Sequence, residues 1–339
     1  MARLPETIKA QLATLVDAPP AGSDFVYEMK FDGYRMLCRI DESGVHFFSR
    51  EGNDWSVKLG DLVRRIEALN LGGGSGWLDG EIVVFEANGG TSFQRLQNAM
   101  DKSVASQVQF VAFDVPFWNG QDLRDYPFME RAKALKAVLA KVPSNAAIVR
   151  SVVVEVESEE HAASLLTQAC QRELEGLIGK RKDAPYRAGR TSTWIKLKCR
   201  PRQEFVVGGW TNPEGARSSF GALLVGLREG DKLRYAGRVG TGFDGRTLDM
   251  IMKRLAPLAT DEMPFKERPT SSGRWGGNAK AELHWVRPEL VVEVAYTTVT
   301  TDGILRQASF QGVREDKPAR KVTGERARPV MRPPSKPII

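Results

Sequence analysis

Lys30-Phe31-Asp32-Gly33-Tyr34-Arg35 is the stretch on which the reading of this chain turns. An apolar-rich run over 25–31 leads into the turn dipeptide Asp32-Gly33, and 34–40 is apolar-rich again, a pattern that predicts strand, tight turn, strand. Lys30 then stands at a strand end beside a carboxylate, not on a solvated helix face. A lysine in such a place can act as a covalent nucleophile if its neighbours lower its pKa and a phosphate electrophile is held close by. A hairpin with charged flanks would use the same residue types, so the rest of the chain decides between the two.

Downstream of the hexapeptide lies an ordered series of strand-like segments. Leu78-Asp79-Gly80-Glu81-Ile82-Val83-Val84-Phe85 reads as a buried strand interrupted by two carboxylates and a glycine. Phe110-Val111-Ala112-Phe113-Asp114-Val115 is a second apolar strand, and Glu175-Gly176-Leu177-Ile178-Gly179-Lys180-Arg181 runs from an acid through apolar residues to a basic end. In Trp194-Ile195-Lys196-Leu197-Lys198 the alternation puts Lys196 and Lys198 on one strand face and Ile195 and Leu197 on the other. Each segment alone could be an edge strand with charged ends. Together they supply carboxylates for a metal, an aromatic ring for a base and cations for phosphates, which are the parts of a nucleotidyl-transfer site.

In order and spacing the series resembles the motifs of the covalent nucleotidyltransferases: DNA ligases, RNA ligases and mRNA capping enzymes. Within that superfamily it is similar to the ATP-dependent DNA ligases of bacterial non-homologous end joining, the ligase module of the ligase D family. Glu204-Phe205-Val206-Val207-Gly208-Gly209-Trp210, Tyr235-Ala236-Gly237-Arg238-Val239-Gly240-Thr241-Gly242-Phe243, Trp285-Val286-Arg287-Pro288 and Gly312-Val313-Arg314-Glu315-Asp316-Lys317 carry the likeness, which runs from about Leu12, on to Lys317. The resemblance implies an α+β protein, an adenylation domain followed by an OB-fold barrel. It also implies ATP as substrate, Mg²⁺ or Mn²⁺ as cofactor, and nicked double-stranded DNA as partner. Ku and a polymerase module are further partners it implies, with a monomeric enzyme of the bacterial cytoplasm acting at the nucleoid.

Site roles attach motif by motif as implications of the same resemblance. Lys30 takes up AMP. Glu28, two residues earlier on the same strand face, accepts a hydrogen bond from the adenine amino group, and Phe113 stacks on the base. Glu81 serves the ribose or the metal, Glu175 is the metal carboxylate, and Asp32 orients the nucleophile or a metal-bound water. Arg35, and Arg50 after Ser49, handle phosphates; Lys196 and Lys198 bind the α-phosphate, with Arg190 a weaker phosphate contact. Arg314, Asp316 and Lys317 approach the pyrophosphate from the barrel, so the two domains must close for the first step and part for nick sealing, with 199–203 as the hinge. A capping guanylyltransferase would use the same lysine with GTP, an RNA ligase would share the motifs, and a basic barrel protein with a degenerate site would bind without reacting. The Arg314-Glu315-Asp316-Lys317 ending, the barrel strings and the retained reactive residues favour the DNA ligase.

Composition agrees. The 339 residues allow two domains with proper cores, and a net charge of +7 suits a polyanionic partner. No apolar run is long enough to span a membrane, and Arg3, Glu6 and Lys9 break up any signal-peptide pattern. Cys38, Cys170 and Cys199 lie far apart and form no Cys-x-x-Cys pair, so neither a zinc site nor a disulfide framework is expected. That also sets the chain apart from NAD-dependent ligases, which carry a cysteine-rich zinc module. The adenylation domain is placed at 1–200 with helices near 62–69, 130–139 and Glu159–Gln171. The barrel is placed at 201–317, with strands at 205–210, 221–227, Lys232–Val239, 290–296 and 304–310 around one helix near 246–255. The Pro-, Ser-, Gly- and Arg-rich 266–280, with Trp275, reads as a surface loop or a DNA contact. The basic, proline-containing 318–339 reads as a disordered tail.

Overall fold

A computed structural model of the protein describes residues 2–87, 89–101, 105–213, 219–269 and 282–325. They form two compact units, one ending at Cys199 and one spanning Arg200–Glu325. The strands of the first unit are β1 (Gln11–Leu15), β2 (Phe25–Met29), β3 (Tyr34–Asp41), β4 (Gly44–Ser49), β5 (Gly76–Val83), β6 (Gln109–Trp118), β7 (Gln121–Asp122), β8 (Ile148–Arg150), β9 (Val154–Glu155), β10 (Gly176–Arg181) and β11 (Gly189–Lys198). Its α-helices are α1 (Gly60–Glu67), α2 (Phe93–Asp101), α3 (Phe128–Val138) and α4 (Glu159–Gln171). One sheet has the order β1-β11-β10-β2-β9; the other runs β4-β3-β5-β6-β7, with β8 lying parallel to β6.

Each sheet has an apolar back and a polar front, because side chains alternate along a strand. In the second sheet Tyr34, Met36, Cys38, Leu78, Ile82 and Phe110 enter one core with Leu62 and Ile66 of α1, Phe93 and Leu96 of α2, and Leu135 of α3. Each of these larger side chains contributes about 1.5–3 kcal/mol by leaving water. In the first sheet Tyr27, Leu177 and Leu197 pack on Ala162 and Ala169 of α4. Ser158 starts that helix by accepting the His161 N–H, with Glu159 and Glu160 in its positive first turn. No helix is expected from the sequence at α2; its polar surface hides an apolar i, i+3, i+6 row of Phe93, Leu96 and Ala99.

The hairpin reading of Lys30 to Arg35 is corrected by the sheet pairing. Both strands form, but β2 pairs with β10 and β9 while β3 pairs with β4 and β5. Asp32-Gly33 therefore carries the chain from one sheet to the other. Gly33 is required by close approach, since a Cβ there would lie 2.1 Å from the carbonyl oxygen of Ile82.

The cysteine reading is also corrected: Cys170 and Cys199 form a disulfide with a Cα–Cα distance of 5.1 Å. Separation in sequence misleads here because β10 and β11 form an antiparallel pair that returns the chain to the end of α4, where Cys199 N–H bonds to Glu175 O. Cys38 is the buried free thiol.

The second unit consists of β12 (Arg202–Thr211), β13 (Leu223–Glu229), β14 (Lys232–Val239), α5 (Gly245–Leu255), β15 (Ala259–Thr260), β16 (Leu283–Val286), β17 (Val291–Ala295), β18 (Thr298–Val299), β19 (Leu305–Arg306) and β20 (Ser309–Val313). β14, β13, β12, β17 and β20 pair in succession, and a bridge from Ser309 to Thr241, just beyond β14, closes the ring. The protein is thus α+β, a unit of two sheets and helices followed by an OB-fold barrel. The single strand expected at 304–310 is two strands, because Gln307 takes a left-handed φ of 50° and breaks the run. The supposed tail is ordered from Pro318 to Glu325: Val322 is fully buried in the barrel core and its carbonyl accepts the Arg228 N–H. The loop segment 270–281 and the remainder of the tail, 326–339, lie outside the described residues. Among the described residues no helix is long and apolar enough to cross a membrane.

Candidate active site

Strand register assembles the front of the first sheet. Ile178 of β10 lies opposite both Glu28 of β2 and Lys196 of β11, so these side chains form one row. One row along, Lys180 lies opposite Val26 and Trp194. One row the other way, Gly176 lies opposite Lys198, and its carbonyl accepts the backbone N–H of Lys30 at 2.9 Å. Four cations, Lys30, Lys180, Lys196 and Lys198, and two acids, Glu28 and Glu175, drawn from separate strands thereby share one face or its end. Lys30 Nζ stands 2.6 Å from Glu175 Oε1, with side-chain exposures of 19% and 5%.

The second sheet contributes the facing groups. Arg35 lies opposite Glu81 in the β3–β5 ladder, and Asp79 is two residues before Glu81 on the same face. The β5–β6 register slips between Asp79, opposite Asp114, and Gly80, opposite Ala112, which leaves Phe113 as the extra residue of a bulge. Bulges re-aim side chains, and this one presents the Phe113 ring to the cations. Arg35 lies 4.4 Å above its centroid and Lys180 4.6 Å from it. Asp32 is buried, its N–H held by Thr91 Oγ1 at 2.7 Å. Arg50 follows Ser49, the fully buried end of β4.

Several predicted residues make protein contacts that the sequence leaves unseen. Arg35 grips Asp79 through Nε at 2.5 Å and Nη2 at 2.6 Å. Burial works against its charge, but the Asp79 carboxylate outweighs that and holds its pKa above the ordinary arginine value. Glu28 accepts from Lys180 Nζ at 2.8 Å, and the same ammonium donates to the Phe113 carbonyl at 2.8 Å. Both partners are buried; burial pushes Glu28 up and Lys180 down, each against the pull of the other. Arg190 is exposed and lies about 20 Å along β11 from Lys196, six residues at strand rise.

In the second unit Arg314, Asp316 and Lys317 belong to a partly buried network. Arg314 is bidentate to Asp316, with both bonds at 2.9 Å, and also bonds Glu293 at 2.9 Å, while Lys317 bonds Glu204 at 3.0 Å. The acids hold the Arg314 pKa well above the ordinary value, against the effect of burial.

Sequence reasoning assigns no role to Lys180, Asp79 or Tyr186. Lys180 and Asp79 stand inside strings whose neighbouring residues carry the motif. Tyr186, beside the basic Arg187 to Arg190 segment, looks like a loop residue until its hydroxyl is found 2.6 Å from Asp79 Oδ2.

Residues 6–198 match the family model "ATP dependent DNA ligase domain" and 216–317 match "ATP dependent DNA ligase C terminal region". The chain belongs to the ATP-dependent DNA ligases. It is 42% identical over 326 residues to the multifunctional non-homologous end joining protein LigD of Pseudomonas aeruginosa, covering 95% of this chain and 37% of that protein. Against the LigD of Mycobacterium tuberculosis the identity is 37% over 307 residues, covering 89% of this chain and 38% of the relative. The chain thus spans under two-fifths of the length of these relatives. A solved structure of mycobacterial DNA ligase D complexed with ATP superposes with a TM-score of 0.68 at 31% identity, covering 93% of this chain and 97% of that one.

Proposed function

We propose that this protein seals nicks in duplex DNA through a lysine-AMP intermediate, with Lys30 as the nucleophile. The Lys30–Glu175 contact of 2.6 Å at the end of a row of cations carries the reading. An ammonium cannot attack, and Glu175 lies within proton-transfer reach of Nζ. As the proton passes to that carboxylate, Nζ bonds to the α-phosphorus of ATP, the bond to the bridging oxygen breaks and pyrophosphate leaves. Lys196 and Lys198 neutralise charge on the non-bridging oxygens. Glu28 reads the adenine amino group, and the Phe113 ring stacks on the base. AMP then passes to a 5′-phosphate, and the 3′-hydroxyl displaces it to close the strand.

A divalent ion fits this donor set. Mg²⁺ is commonly held by one or two carboxylates, with substrate phosphates and water completing its shell. One or two of Glu175, Glu81 and Asp32 would hold it together with substrate phosphates and water, since no cluster of three or more candidate ligands occurs among the described residues. When bound, the ion would neutralise developing phosphoryl charge.

The relatives' names, which speak of non-homologous end joining, support a place in end-joining repair. Nicked DNA as substrate, Ku and a polymerase module as partners, and a monomer in the bacterial cytoplasm are proposed with it on the resemblance of the motifs. The test is incubation with α-labelled ATP or GTP and a divalent ion, followed by nicked DNA or nicked RNA. Label from ATP should appear on Lys30, vanish in Lys30→Ala, and be consumed by nicked DNA. Label on another residue, or label from GTP alone, would overturn the reading.

A further inference from the structure

The Tyr186 hydroxyl donates to Asp79 Oδ2 at 2.6 Å, and Asp79 is wholly buried. The same carboxylate receives both Arg35 bonds, so one acid joins a tyrosine 107 residues away to the arginine of the nucleophile motif. Tyr186 is itself fixed: it is 3% exposed, its ring meets Trp194 edge-on at 6.1 Å, and its oxygen accepts the Gln11 N–H at 3.2 Å. The Gln11 carbonyl in turn accepts from Arg35 Nη2 at 3.2 Å. Arg35 is thus clamped along one edge, with Phe113 and Trp194 at its face. Its Nη1 forms no hydrogen bond among the described residues.

We infer that Tyr186 is a positioning residue for nucleotidyl transfer: its hydroxyl holds the Asp79 carboxylate so that the Arg35 guanidinium is aimed, Nη1 outward, at an oxygen of the nucleotide. The inference rests on the reading of Lys30 as the site of AMP attachment. A carboxylate held only by Arg35 could rotate about its own torsion and take the guanidinium with it. A second donor on Oδ2, anchored through Gln11 and Trp194, removes that freedom. Burial first and then the Asp79 charge keep the Tyr186 pKa well above the ordinary tyrosine value, so the hydroxyl stays a donor throughout the working pH range. The aim matters because the rate depends on preorganised donors more than on their mere presence.

Tyr186→Phe keeps the ring and removes only the hydroxyl. Loss of the aim should lower the maximal rate of Lys30 self-adenylylation about tenfold or more, with half-saturating ATP little changed and Tm lowered by only several degrees, so that the chain stays folded at the assay temperature. Asp79→Asn weakens the same link from the other side. In that background Tyr186→Phe should cost no more than about twofold further, because the two changes act on one element. A Tyr186→Phe chain as fast as wild type would overturn the inference. So would effects that multiply in the double variant, or a rate loss that follows a loss of fold. Absence of AMP from Lys30 in the wild-type chain would instead overturn the ligase reading, and that measurement comes first.

Discussion

Replacing Lys180 by Met should leave the fold with a pH-dependent deficit whose size is set by the Glu28 contact. The ammonium is 1% exposed, 2.8 Å from Glu28 Oε1 and surrounded by the rings of Phe113, Phe128 and Trp194, while the carboxylate side chain is 2% exposed. Removing one partner of such a pair costs about 3–5 kcal/mol when the other stays charged. Glu28 can escape by taking a proton. Burial already raises its pKa in the wild type, and without Lys180 nothing comparable pulls it down. Between the unfolded value near 4.3 and the raised folded value, the native state binds more protons than the unfolded state, so stability falls as pH rises. Up to the raised wild-type pKa of Glu28 both chains lose stability together. Above it only the variant goes on losing it, so the deficit should grow there by about 1.4 kcal/mol per pH unit until it reaches the ceiling for a charged, unpaired Glu28. For a unit of this size each kcal/mol moves Tm by about 2–4 °C. Urea unfolding followed by tryptophan fluorescence at pH 5 and pH 8 measures the difference, and Glu28→Gln added to Lys180→Met should abolish the pH dependence. An equal deficit at both pH values would refute the account, because no proton would then be linked to the loss.

Reduction of the Cys170–Cys199 bond, which closes a 29-residue separation, should destabilise the first unit by about 3–4 kcal/mol on the loop-entropy estimate; melting curves with and without reductant check this, and thiol titration of the denatured, unreduced chain should find Cys38 alone. Lys317→Ala removes a partly exposed contact with Glu204 and should lower Tm by only a few degrees while slowing self-adenylylation far more than sealing of a nick that already carries AMP; equal losses in the two assays would assign the residue to DNA contact or folding. Asp316→Ala is the poorer probe, since it would leave Arg314 buried beside a missing partner.

What can be read from the chain alone is the set of reactive side chains and the periodicity around them. Lys30, Glu175, Lys196 and Lys198 stand in short strings whose alternation shows which residues face outward, and the helix at Glu159–Gln171 has its cap and acidic first turn written locally. Lys180 is not legible as the partner of Glu28, because a separation of 152 residues becomes a contact only through the β2–β10 register. Asp32-Gly33 looks like a hairpin because turn chemistry is local, whereas the choice of partner strand is made by the cores behind each sheet. Phe113 is marked by its motif, but the reason it points at the cations is a bulge that no residue of β6 announces.

The disulfide also bears on how the molecule carries load. Cys199 is the last residue of the first unit, so any tension transmitted from the barrel enters at that point. Without a crosslink, such tension would act on the end of β11 and could peel Lys198 and then Lys196 away from β10, one rung at a time. With Cys199 bonded to Cys170, part of such a force would pass instead into the end of α4, and the peptide between the two sulfurs, which contains β10 and β11, would be relieved of it. The crosslink would act as a strain relief at the boundary between the two units, sparing the register of β10 and β11.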